Sequence, residues 1–182
     1  RIITIILLST LFAGAAEERR FASHERLSLG TGSETTASLR IGDLDGDNDL
    51  DIAVANGRHW PHQNIVLFNQ GRARFNLIRP LGQDMAASYA TELADLDNDG
   101  DTDLLITRQS GVWLYTNSNG KFAGVKLDLE FDAKSVPLSV AVSDLNRDGL
   151  FDMYVTGYIA REHVEGETIF NKVYGGISAL YI

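Results

Sequence analysis

The stretch Asp95-Leu96-Asp97-Asn98-Asp99-Gly100-Asp101-Thr102-Asp103 puts a carboxylate at every second position for nine residues, with a glycine at the sixth. Two relatives flank it: Asp43-Leu44-Asp45-Gly46-Asp47-Asn48-Asp49-Leu50-Asp51 and Asp144-Leu145-Asn146-Arg147-Asp148-Gly149-Leu150-Phe151-Asp152. Their first aspartates stand 52 and 49 residues apart, so the loop belongs to a repeat of about fifty residues.

Oxygens at positions 1, 3, 5 and 9, with a backbone carbonyl at 7, suit a hard cation. Ca²⁺ takes roughly six to eight oxygens in a flexible shell. Five carboxylates within nine residues repel one another until such an ion neutralises them. Gly100 and Gly149 permit the positive φ that turns the chain back around an ion. In the first loop glycine falls at position 4 and Asn48 takes position 6; asparagine is the next residue to tolerate that conformation. An EF-hand would need Glu at position 12, between two helices. Here position 12 is Val54, Ile106 and Val155 in turn.

Each loop is followed by a short apolar run: Ile52-Ala53-Val54-Ala55, Leu104-Leu105-Ile106-Thr107 and Met153-Tyr154-Val155-Thr156. Such runs read as buried strands, so the loop joins strand to strand. Three loops in register, each leading into a strand, are more than solvated turns. Before them lie Ala37-Ser38-Leu39-Arg40-Ile41, Tyr89-Ala90-Thr91-Glu92-Leu93 and Leu138-Ser139-Val140-Ala141-Val142. Alternation puts Leu39/Ile41, Thr91/Leu93 and Val140/Val142 on one face. A third strand is expected at 65–68, 112–115 and 177–182, with Leu67-Phe68 aligned to Leu114-Tyr115 and Leu180-Tyr181. A fourth is expected at 76–78 and 125–127. Four strands in about fifty residues is the size of a propeller blade. The fold expected is all-β, a partial β-propeller of about three four-stranded blades, with a calcium loop between strands of each. Blades fall at 37–87, 88–136 and, incompletely, 137–182.

The chain has 182 residues, no cysteine, 25 acidic and 16 basic side chains, and a net charge of −9. Thirteen of the acids sit in the three loops, so the acidity is local. With no basic patch, a nucleic-acid partner is not expected. Residues 1–16 read as an export signal already under way: an apolar run from Ile2, then Ala13-Gly14-Ala15 as a cleavage pattern. That run is shorter than the roughly twenty residues that span a bilayer, so no transmembrane span is expected in the mature chain. Residues 17–36 form a polar lead-in with room for one outer strand. The last repeat stops within its third strand, and a fragment truncated at both ends is expected.

These residues resemble the FG-GAP/VCBS repeat family, the calcium-loop blades of integrin-α-like propellers. Gly42-Asp43-Leu44-Asp45-Gly46-Asp47 and Asn64-Ile65-Val66-Leu67-Phe68-Asn69 are similar to the bacterial form found in exported proteins that end in an ASPIC/UnbV segment. The resemblance covers residues 37–182. It implies side-chain ligands at loop positions 1, 3, 5 and 9 and a main-chain oxygen at 7. Carried over, it selects Asp43, Asp45, Asp47, Asp49 and Asp51; Asp95, Asp97, Asp99, Asp101 and Asp103; and Asp144, Asn146, Asp148, Leu150 and Asp152. About three Ca²⁺ are expected, one per loop. The third loop, with fewer charges and with Arg147 inside it, should bind most weakly.

Chemistry beyond calcium is sparse. There is no Gly-x-Ser-x-Gly, and the four histidines are scattered. His59-Trp60-Pro61-His62 reads better as a contact surface than as a metal pair, since it brings no third ligand. The function expected is non-catalytic: a secreted, periplasmic or cell-surface scaffold for adhesion, ligand recognition or assembly, with a protein or carbohydrate partner on its faces or loops. The competing class is the propeller portion of an extracellular polysaccharide lyase or hydrolase.

Overall fold

The computed structural model describes residue 29 and residues 35–131, 134–159 and 178–182. The expected export signal and most of the lead-in lie outside the described residues, as do residues 160–177 of the long third-repeat connection.

All regular structure among the described residues is β. The first sheet runs in the order β1 (Thr36–Gly42), β2 (Asp51–Asn56), β3 (Ile65–Phe68) and β4 (Leu77–Pro80). The second repeats it with β5 (Ser88–Ala94), β6 (Asp103–Arg108), β7 (Gly111–Ser118) and β8 (Lys121–Lys126). The third has β9 (Ser135–Ser143), β10 (Asp152–Ile159) and β11 (Ala179–Tyr181). Neighbouring strands are antiparallel throughout, and each acidic loop joins the first strand of a sheet to its second. This is the partial propeller the repeat predicts, its third blade three-stranded.

Alternation gives every sheet two faces, and the sheets stack face to face. Ala53, Ala55, Val66 and Phe68 of the first sheet share a core with Leu104, Ile106 and Tyr115 of the second. Leu105 and Val112, on the second sheet, share another with Val140 and Val155 of the third. Tyr89 on β5 meets Tyr158 on β10 through their hydroxyls at 3.2 Å, and the first strands of the first two sheets meet where Ser38 Oγ and Thr91 Oγ1 are 3.0 Å apart. Arg40 and Glu92 close the same seam with an exposed ion pair at 3.0 Å, worth under about 1 kcal/mol.

The alignment of third strands shifts by one residue. Ile52 pairs with Leu67, Leu104 with Tyr115 and Met153 with Tyr181, so Leu67, not Phe68, is the counterpart of Tyr115 and Tyr181. The fourth strand of the second blade begins at Lys121 rather than near 125. Its cause is a two-residue turn: Asn119 and Gly120 both take positive φ, 54° and 77°, the hairpin geometry that Asn-Gly favours because its twist matches the strands. Ala37, Tyr89 and Leu138, at equivalent places, are each an extra residue in the first strand, a bulge that alternation alone does not reveal.

Candidate metal centre

The backbone of each acidic loop turns through two left-handed residues, at positions 4 and 6. They are Gly46 and Asn48 (φ 78° and 68°), Asn98 and Gly100 (58° and 94°), and Arg147 and Gly149 (66° and 88°). Position 6 was legible in the sequence. Position 4 was not, because arginine holds it in the third loop.

These turns fold the backbone amides inward onto the carboxylates. The position-1 aspartates cap the loop: Asp43 accepts from the amides of Gly46 and Asn48, Asp95 from Asp99 and Gly100, and Asp144 from Arg147, Asp148 and Gly149. Position 5 accepts from the amide two residues on, at Asp47, Asp99 and Asp148.

Position 9 has a different role. Asp51 is buried and accepts from the amides of Leu44 (2.9 Å) and Asn69 (2.8 Å). Asp103 does the same with Leu96 (2.9 Å) and Asn117 (2.8 Å). Each ties the start of the loop to the end of the third strand, with lone pairs to spare. Asp152 accepts from Leu145 and Asn146.

Two sets of carboxylates converge. Asp43, Asp45 and Asp51 can place one oxygen each within 4.8 Å of one another, and so can Asp95, Asp97 and Asp99. Asp47 and Asp103 stand outside those sets, and among the described residues Asp144, Asp148 and Asp152 form none. In the third loop the Asn146 amide donates to Asp148 at 3.0 Å. Asp49 and Asp101 sit at position 7; Asp101 also accepts from the amide of Asn119.

Electrostatics favour a cation at the first set. Asp45 Oδ1 is buried without a hydrogen-bond partner, an orphan acceptor of the kind an ion satisfies. Burial, then the nearby Asp47 and Asp43, push the Asp45 carboxyl above its ordinary range. Burial likewise raises Asp51, against the lowering effect of its two amide donors. Asp97 moves the same way, by desolvation and then by Asp103 and Asp99. Keeping these groups ionised together is uphill until positive charge arrives.

A family model described as an FG-GAP-like repeat matches residues 43–106 and 95–155. The chain belongs to the FG-GAP-like repeat family. Both matched units of the FG-GAP-like repeat open on the first aspartate of an acidic loop and run into the second strand of the next sheet, so each repeat straddles two blades. A search of curated proteins finds no match.

At the opposite end of the sheets, residues 57–64 bridge to the start of β5 through Gly57–Ser88 and to the loop before it through His62–Ala86. Trp60 there is 64% exposed and stands edge-on to His59. Neither histidine joins a group of three potential ligands among the described residues. Beside Pro61 opens a cavity of about 350 Å³, bounded by Asp84, Met85, Arg108, Gln109 and Ser110. The Arg108 guanidinium is buried, pairs with Asp84 at 2.8 Å, bonds the Tyr115 hydroxyl and lies 4.5 Å over the Trp113 ring. Sequence reasoning missed this cluster, since an arginine closing a strand reads as a solvated turn residue.

Proposed function

We propose that the chain is an exported, calcium-stabilised FG-GAP-like scaffold that binds protein or carbohydrate through the loops opposite its acidic ends. The observation that carries the calcium reading is the orphaned Asp45 Oδ1 within the converging set of Asp43, Asp45 and Asp51. Asp43, Asp45, Asp47 and Asp51 would hold the first ion, with the Asp49 carbonyl. Asp95, Asp97, Asp99 and Asp103 would hold the second, with the Asp101 carbonyl. A weaker third would fall to Asp144, Asn146, Asp148 and Asp152, with the Leu150 carbonyl. The ion neutralises clustered charge and fixes the turn between two strands. Calcium loops of this kind fill where the ion is plentiful, which favours a secreted, periplasmic or cell-surface location.

The role is structural and recognitive rather than catalytic. Most of the loop carboxylates accept from backbone amides of the loop or of the strand beside it. Trp60 and Met85, 64% and 69% exposed on adjoining loops, supply the broad apolar contact that partner surfaces use. No helix among the described residues is long and apolar enough to cross a membrane.

Calorimetric titration with calcium, alongside thermal melting with and without chelator, tests the reading. Saturable uptake of about two to three ions with a rise in Tm supports it. Folded protein that takes up no calcium overturns it.

A further inference from the structure

Arg108 closes β6, a strand buried along its whole length, and its side chain is 1% exposed. Nothing in the repeat requires a cation there. The equivalent places, each paired with the residue before the first-strand bulge, hold Asn56 in the first sheet and Gly157 in the third. A buried guanidinium is unfavourable unless its N–H groups are paired, and those of Arg108 are paired only in part. One Asp84 oxygen takes Nη1 at 2.8 Å, the Tyr115 hydroxyl takes Nη2, and Nε is buried with no hydrogen-bond partner. Carboxylates on arginine frequently engage two N–H groups side by side. Asp84 engages one, from a side chain that is 56% exposed.

The same pair bounds the cavity of about 350 Å³ beside Pro61. Its walls are hydrogen-bonded to one another: the backbone amides of Gln109 and His62 donate to Ala87 O and Ala86 O, at 2.9 and 3.1 Å. The volume lies at the lower end of small-molecule pockets, roughly 300–1,000 Å³, and a side-chain carboxylate alone would leave most of it empty. Gln109 and Ser110 bring amide and hydroxyl groups to the wall. Trp60, the chain neighbour of Pro61, adds an exposed aromatic ring at the rim.

We propose that this cavity binds an acidic sugar, a uronate unit of a saccharide, and that Asp84 is a resident carboxylate standing where the sugar's carboxylate docks. The proposal rests on the reading of these loops as the binding surface. The incoming carboxylate engages Nε–H together with a neighbouring N–H of Arg108. Asp84 turns out to water, because two carboxylates on one guanidinium repel each other. The ring hydroxyls meet Gln109 and Ser110, and the apolar face of the ring meets Trp60.

The test is an NMR titration of the unaltered chain in excess calcium, so that the acid does not strip the acidic loops. Galacturonate and its short oligomers are the probes, galactose is the neutral control and a glutamate peptide is the alternative acid. The Arg108 Nε–H resonance, assigned through the backbone, should shift saturably with galacturonate and stay still with galactose. Asp84→Asn, at an exposed position, should bind the acid at least about threefold more tightly, since the competing carboxylate is gone. Arg108→Lys should bind it at least about tenfold more weakly, because an ammonium lacks the fork; if that variant fails to fold, Asp84→Asn and the two sugars still decide. An Arg108 signal that no acid moves, an equal response to galactose, or Asp84→Asn binding no more tightly overturns the proposal. A response to the glutamate peptide alone hands the site to a protein partner and overturns it too. Sugar binding that Trp60→Ala weakens while the Arg108 signal stays still overturns this site and leaves the loops standing as the binding surface.

Discussion

The side-chain amide of Asn117 donates to the carbonyl of Leu44 at 2.9 Å, from the second sheet into the acidic loop of the first. The same amide donates to Thr102 O at 2.9 Å, its carbonyl accepts from Gly120, and its backbone amide reaches Asp103. Gly120 itself lies so close that an added Cβ would stand 2.9 Å from that of Asp45. One turn thus braces two acidic loops.

Asn117→Ala should therefore cost about 2–3 kcal/mol, because buried carbonyls lose their donor. Its counterpart Asn69 makes one long side-chain bond, to Leu50 O at 3.3 Å, and leaves its Oδ1 orphaned. Asn69→Ala should cost under about 1 kcal/mol. Urea unfolding of both at one fixed calcium concentration checks the contrast, and equal losses would contradict it.

Loop positions separate by role. Asp103→Asn replaces an acceptor of two backbone amides with a group that can serve only one. It should cost about 3 kcal/mol in chelator as well as in calcium. Asp99→Ala, by contrast, should stay within about 0.5 kcal/mol of the parent in chelator and fall well below it in calcium. A calcium-independent loss at Asp99 would remove it from the ion site.

Arg147 occupies a left-handed position that the other loops give to Gly46 and Asn98. Arg147→Asn should gain about 0.5 kcal/mol from relaxed backbone strain. Removing a positive charge beside Asp144 and Asp148 should tighten cation binding as well. Differential scanning calorimetry at several calcium levels reads both; a lower Tm in calcium would count against the third loop as an ion site.

Gly124 pairs with Tyr115 across β7 and β8, and an added Cβ would stand 2.4 Å from the ring. Gly124→Ala should cost about 1–3 kcal/mol through overpacking. An unchanged urea midpoint would mean that the ring has room to move.

What the sequence disclosed was what repeats: carboxylate spacing, the glycine or asparagine at position 6, and the apolar runs after each loop. These rest on local chemistry, so the loops and first two strands of every blade were legible. Phe68 misled the third-strand alignment because aromatic identity imitated Tyr115, while the pairing of Ile52 with Leu67 is a non-local matter of register. The amide donors that make Asp51 and Asp103 clamps come from Asn69 and Asn117, 18 and 14 residues away. Arg108 is buried only because Asp84, Trp113 and Tyr115 converge on it, and that convergence is tertiary.

Where the first sheet contributes Ala53 and Ala55 to the shared core, the second contributes Leu104, Ile106 and Tyr115. At β2 the small Ala53 and Ala55 leave depth that larger side chains of the core fill, Phe68 on the same sheet among them. The first two repeats are alike in their loops but differ in the side chains they give to the core between them. Exchanging one repeat for another would preserve every acidic loop and still change the side chains that meet in this core.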